Sequence, residues 1–212
     1  MSDVKHATGE PRRGGRPLDP SRDRAILEAA LEGLAEVGYD RLSMDEIAAR
    51  AHAGKGALYR RWPSKAALVV DAIIAWREAR GPMRAPDTGS LQGDLDAMVE
   101  AIPEFDEAAK RQVAVFHGLA TAASRDSELK QALATQVLGR PRRILAEVFE
   151  RARSRGEIAA DRDLELIPDI VIALNMYRVM QGECPDHQYV ERVFRTIINP
   201  LLTWRPVAAS DQ

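Results

Sequence analysis

The chain has 212 residues, enough for one ordinary domain or two small ones with a core that needs no covalent staples. At 45% hydrophobic and 29% charged it is not a disordered chain, and 30 basic residues against 32 acidic exclude a uniformly basic coat for nucleic acid. Its single cysteine, Cys184, excludes an intramolecular disulfide and points to the reducing cytoplasm.

Residues 1–17 read as a basic Gly/Pro/Arg arm, because Pro11-Arg12-Arg13-Gly14-Gly15-Arg16-Pro17 cannot hold regular structure. It has no apolar stretch of the kind a secretory leader needs. A first helix is expected from Pro20, with Asp19 as its N-cap and a stripe of Ile26, Ala30, Leu34 and Val37. Gly38 is placed as its left-handed stop. Ser43 and Glu46 have capping-box spacing and start a short second helix that ends near Ala51. Ala51-His52-Ala53-Gly54 is a tight turn, in which His52 must accept a conformation better suited to glycine. A short third helix passes through Leu58 and Tyr59 and is broken by Trp62-Pro63-Ser64. Ser64 then caps a fourth helix that carries Leu68, Val69, Ala72, Ile73 and Trp76. Both tryptophans, Trp62 and Trp76, read as core.

Gly81–Ser90, with two prolines and two glycines, is the expected boundary between an N-terminal unit (18–80) and a larger one (81–204), followed by a tail at 205–212. Helices are expected over 91–102, 106–123, 127–153, 164–182 and 186–203, giving an all-α chain of about nine helices. Pro141 should kink or split its helix, Pro168 is tolerable only in a first turn, and Gly156 is a C-cap. Apolar runs such as Ile170–Leu174 are far too short to span a membrane. The last two helices are apolar on more than one side. A two-fold interface using Ile170, Leu174, Val190, Val193, Phe194, Ile197 and Leu201 would cover them and make a homodimer.

Charge is distributed unevenly. Residues 1–80 carry 14 Lys and Arg against 12 Asp and Glu, while the remainder is net acidic. Ile47–Val70 holds Arg50, Lys55, Arg60, Arg61 and Lys65 and no acid. Two short helices crossing at a small-residue turn within a basic stretch have helix-turn-helix geometry, which places the second helix in a DNA major groove. Tyr59, Arg60, Arg61 and Lys65 are the expected phosphate donors. Lys55 can donate to guanine, and Ala57, after Gly56, can meet a thymine methyl.

Glu46-Ile47-Ala48-Ala49-Arg50-Ala51, Lys55-Gly56-Ala57-Leu58-Tyr59-Arg60 and Pro63-Ser64-Lys65-Ala66-Ala67-Leu68 resemble the DNA-binding domain of TetR-family transcriptional regulators. The resemblance covers about residues 20–76, and Arg155-Gly156-Glu157-Ile158 looks like the junction before the last two helices in many members. It implies a helix-turn-helix head followed by a helical bundle for ligand binding and dimerisation. It implies phosphate contacts for Tyr59 and Lys65 and base contacts for Lys55 and its neighbours. Ser43 would approach a phosphate, and Arg12, Arg13 and Arg16 could reach a minor groove. The partners implied are a pseudo-palindromic double-stranded operator, a second copy of the chain and a small-molecule effector that releases a repressor. A DNA-binding dimer controlled by a protein partner is the alternative. Candidate pocket residues are Trp76, Met98, Phe105, Phe116, His117, Met176 and Tyr177. The histidines His6, His52, His117 and His187 show no metal spacing, and no catalytic constellation is present, so neither enzyme activity, metal nor cofactor is expected.

Overall fold

The computed structural model describes residues 20–81, 83–102, 104 and 106–204. Asp19, the arm with Arg12, Arg13 and Arg16, Phe105 and the tail at 205–212 lie outside the described residues. Helices α1 (Pro20–Arg41), α2 (Met44–Arg50), α3 (Lys55–Arg61), α4 (Lys65–Glu78), α5 (Leu91–Glu100) and α6 (Glu107–Ala123) come first. They are followed by α7 (Ser127–Ala132), α8 (Gly139–Ser154), α9 (Ile167–Met180), α10 (His187–Val193) and α11 (Asn199–Thr203). A π-helical segment, Leu133–Leu138, joins α7 to α8, and another, Phe194–Ile198, joins α10 to α11. Counting each joined run as one rod, the described residues form nine helical rods and no strand.

Local chemistry explains most boundaries. Gly38 breaks α1 with φ 75° and ψ 167°, but helical turn resumes through Arg41 instead of stopping. The side chains of Ser43 and Ser64 accept the N–H groups of Glu46 and Ala67 and start α2 and α4. Gly156 closes α8 in the left-handed region at φ 80°, with crossed hydrogen bonds from Glu157 N–H to Ala152 O and from Gly156 N–H to Arg153 O. Pro168 falls in the first turn of α9, where its missing N–H costs nothing.

Around Pro141 the helical backbone stays unbroken from Ser127 to Ser154, with a π segment set into it. Both π segments lie just ahead of a proline, Pro141 or Pro200. A proline cannot donate to the carbonyl four residues back, and its ring crowds that carbonyl. The widened turn makes room for it within a continuous rod. Pro141→Ala should let residue 141 donate to Val137 and return this turn to α-helix. The expected gain is about 1–3 kcal/mol, read as a higher thermal midpoint and a slowly exchanging amide at residue 141. A lower midpoint would count against this account.

Packing is divided differently from the chain. One core joins α1–α4 with α6, α7 and the first π segment through Ile26, Leu58, Leu68, Leu119, Leu129 and Val137. A second joins α5, α8, α9 and the last rod through Leu95, Phe149, Val171, Phe194 and Ile198. The loop after α4 therefore separates α4 from α5 in sequence, while α6 and α7 return to pack on the N-terminal helices.

Asp94 is a fully buried carboxylate in the second half. It accepts the Thr88 N–H at 2.6 Å and hydroxyl at 2.8 Å, and the Arg155 Nη2 at 3.0 Å. Arg155 also pairs with Glu157 at 2.6 Å, and Glu157 accepts the Leu91 N–H at 2.6 Å. Burial alone would raise the Asp94 carboxyl, but the Thr88 and Arg155 hydrogen bonds outweigh it and hold it below the ordinary range. The start of α5 is thus riveted to the Arg155-Gly156-Glu157 junction.

Candidate nucleic-acid interface

The turn between α2 and α3 is set by three backbone hydrogen bonds. Ala51 N–H reaches Ile47 O at 3.0 Å, His52 N–H reaches Ala49 O at 3.2 Å, and Ala53 N–H reaches Ala48 O at 2.9 Å. This is a Schellman closure, and its left-handed position is His52 at φ 48°. The turn therefore takes the strained position on a histidine, as the sequence requires. Leu58, fully buried, anchors α3 to the core, and Ile47 anchors α2. That pinning turns Lys55, Gly56, Tyr59 and Arg60 outward, with Tyr59 50% exposed. Ala57 is half-buried, and Ser43 is exposed at the start of α2. Lys55 Nζ sits 2.6 Å from Asp45 Oδ2, an exposed ion pair across the turn. Asp45 was not visible as a partner because the two residues lie on different helices.

Two expected phosphate donors do not face outward. Arg61 turns back to an ion pair with Asp23 on α1, and only 15% of its side chain is exposed. Lys65 donates to the carbonyls of Tyr39 at 2.7 Å and Leu42 at 2.9 Å, with its ammonium 4.1 Å from the centre of the Tyr39 ring. The reason lies at the end of α1, where terminal carbonyls lack intrahelical donors and a cation is favoured. Two of the three ammonium protons of Lys65 are spent inside the head, holding α4 to the α1–α2 corner.

The same corner is held to α7. Tyr39 donates its hydroxyl to Asp126 Oδ2 at 2.7 Å, Ser64 donates to Glu128, and Arg125 lies 3.4 Å from Asp40. Asp126 also caps α7 by accepting the Leu129 N–H at 2.9 Å. That bond and the Tyr39 hydroxyl hold its carboxyl below the ordinary range, while burial and Asp126 push the Tyr39 phenol up. Trp62 is buried, as expected, and its indole N–H reaches Asp71 at 2.8 Å.

Among the described residues, none of the expected pocket residues lines the cleft between α4 and the first π segment or the one between α8 and the start of α9. Trp76 and Phe116 meet edge to face at 6.3 Å, covered by Arg80 at 4.1 Å from the Trp76 ring and Arg77 at 5.1 Å from the Phe116 ring. Met98 packs against the second core and Met176 is half-buried. His117 and Tyr177 are exposed, which removes His117 from the apolar setting that its neighbours suggested. The expected dimer face also divides. Val190, Val193 and Phe194 are buried in the chain's own core, because the last rod turns that side inward, so they are unavailable to a partner. Ile170 and Leu174 are half-buried at its edge, while Ile197 and Leu201 on the last rod and Tyr177 and Met180 on α9 are exposed.

Comparison with known proteins agrees with this geometry. Residues 26–72 match the family described as "Bacterial regulatory proteins, tetR family", and residues 85–197 match "Tetracyclin repressor-like, C-terminal domain". The chain belongs to the TetR family of transcriptional regulators. Among its TetR-family relatives, the DNA-binding transcriptional repressor TetR of Mycobacteroides abscessus is 32% identical, over 86% of this chain and 94% of that protein. The HTH-type transcriptional regulator YdeS of Bacillus subtilis is also 32% identical, over 83% of this chain and 87% of its own. The crystal structure of the TetR family transcription regulator SCO0332 superposes with a TM-score of 0.63 at 26% identity, covering 88% of this chain and all of that one. This is the all-α arrangement of helix-turn-helix head and helical bundle. No described helix is long and apolar enough to cross a membrane.

Proposed function

We propose that this TetR-family regulator is a homodimeric repressor that binds a pseudo-palindromic DNA operator and is released by a small-molecule effector. The observation that carries it is the outward face of α3, where Lys55, Tyr59 and Arg60 lie together on a helix pinned by Leu58. In this reading Tyr59, Arg60 and Ser43 contact phosphate, Lys55 leaves Asp45 to reach a base edge, and Gly56 and Ala57 admit the groove floor. The exposed Ile197, Leu201, Tyr177 and Met180 support a two-fold interface on α9 and the last rod. Work on DNA would be done in the cytoplasm.

The test is selection of bound fragments from sheared genomic DNA of the source organism at near-physiological salt. Enrichment of a two-fold sequence beside one or a few promoters is expected, and uniform recovery would refute sequence-specific binding. Arg60→Ala should weaken binding to all sequences alike and flatten the salt dependence by about 0.9 in log–log slope. Lys55→Ala should relax preference at one position per half-site, and the missing hydrogen bonds to that base should cost about 1–3 kcal/mol. An unaltered selected sequence would remove Lys55 from base reading.

A further inference from the structure

Lys55 and Asp45 share the outward surface of the head. Lys55 is the first residue of α3, at the end of a recognition helix that reaches base edges. Its Nζ lies 2.6 Å from Asp45 Oδ2 on α2, and both side chains are more than half exposed. The contact therefore sets a carboxylate at the same edge as the ammonium. Other charges near the turn are arranged differently. Arg50 takes up Glu36 and Glu46, and Arg61 takes up Asp23. Arg60 faces outward with no acid paired to it among the described residues. Arg60 is open to any phosphate, while the charge of Lys55 is already cancelled.

A phosphate cannot take the place of Asp45 without setting its own charge against the carboxylate. On the DNA backbone the neutral pair therefore adds little. A base edge is different. A G·C pair presents two neighbouring acceptors in the major groove, guanine N7 and O6, with the cytosine N4 amine beside them as a donor. An ammonium that turns to guanine gains both acceptors, and the carboxylate it leaves gains the amine. An A·T pair separates its acceptors, adenine N7 and thymine O4, by the N6 amine, so one ammonium meets only one of them. Opening an exposed ion pair costs at most about fivefold in affinity, which a good base contact of about tenfold or more offsets. We propose that Asp45 is a specificity-determining residue of this head. With Lys55 it reads one G·C pair per half-site, ammonium on guanine and carboxylate on the cytosine amine, and elsewhere it keeps Lys55 from phosphate. The proposal rests on the DNA-binding reading above.

The test uses the full chain and the fragment it selects from genomic DNA. Replacing the G·C pair at the position that Lys55→Ala relaxes should weaken wild-type binding about tenfold. N4-methylation of its cytosine, which keeps base pairing and blocks the N–H that faces the groove, should also weaken it. Asp45→Ala should no longer respond to that methyl group, while Lys55 still prefers guanine. On DNA without the site, Asp45→Ala should bind several-fold tighter than wild type. Its salt dependence there should be steeper by about 0.9 in log–log slope, because Lys55 gains a phosphate. Adding Lys55→Ala should abolish that gain. An effect of N4-methylation that is the same with and without Asp45 overturns the proposal. So does a salt slope of Asp45→Ala on other DNA that matches wild type, or a selected site without G·C at the position Lys55 reads. In each of those outcomes a selected two-fold sequence leaves the functional reading standing. Uniform recovery of DNA by the wild type refutes that reading and this proposal together.

Discussion

Asp94→Ala is expected to destabilise the chain by about 3 kcal/mol, the low end for breaking a buried charge pair, because Arg155 keeps Glu157 and Asp87 as partners. For a chain of this size that is a fall of about 6–12 °C in thermal midpoint. The cause is specific. Asp94 accepts three hydrogen bonds from Thr88 and Arg155 while fully buried, and with it goes the tie between the start of α5 and the end of α8. The sign of the pH dependence follows from its depressed carboxyl. A group held below its unfolded value contributes stability above that value and loses it as pH falls through the folded one. Wild type should therefore lose stability below about pH 4 more steeply than Asp94→Asn, which has no charge to lose. Parallel acid limbs in the two proteins would show that Asp94 is not ionised in the fold.

Lys65→Ala separates a structural cation from a DNA-facing one. It removes two hydrogen bonds from an ammonium to carbonyls at the end of α1, at a cost of about 2 kcal/mol. Binding to DNA should weaken because α4 is no longer held to the corner that carries α2 and α3. The salt dependence should stay as steep as in wild type, in contrast to Arg60→Ala. Thermal unfolding and a salt titration of DNA affinity check both halves. A flatter slope for Lys65→Ala with unchanged stability would mean that its ammonium serves a phosphate.

Features legible in the sequence were those set within a few residues. Ser43 and Ser64 as caps, His52 in the turn, Gly156 as a helix end and Pro168 in a first turn each follow from a side chain and its own neighbouring backbone. The helix-turn-helix was legible for the same reason, and order and spacing over several short helices carried the resemblance to its family. The inward turn of Arg61 and Lys65 was not, because Asp23 and the Tyr39 and Leu42 carbonyls meet them only in three dimensions. The expected pocket was read from spacing alone. A Met or aromatic residue at helical spacing announces a buried face, but Trp76 and Phe116 spend theirs on each other. Pro141 did carry a usable signal, having no N–H to give the carbonyl four residues earlier. What could not be read was that the rod would stay whole and that Arg77 would arrive to meet that carbonyl.

The shared core of α1–α4 with α6, α7 and the first π segment bears on synthesis. Ile26 and Val137 belong to one apolar cluster although more than half the chain length separates them. On the ribosome the first eighty residues emerge with the sides of α1 and α4 that meet α6 and α7 still uncovered, and they stay so until Leu129 and Val137 have left the exit tunnel. Closing so long a loop before its contacts form is slow. The nascent head is therefore a natural client for a chaperone, and a gene cut after Arg80 would yield a fragment with those apolar faces open to self-association.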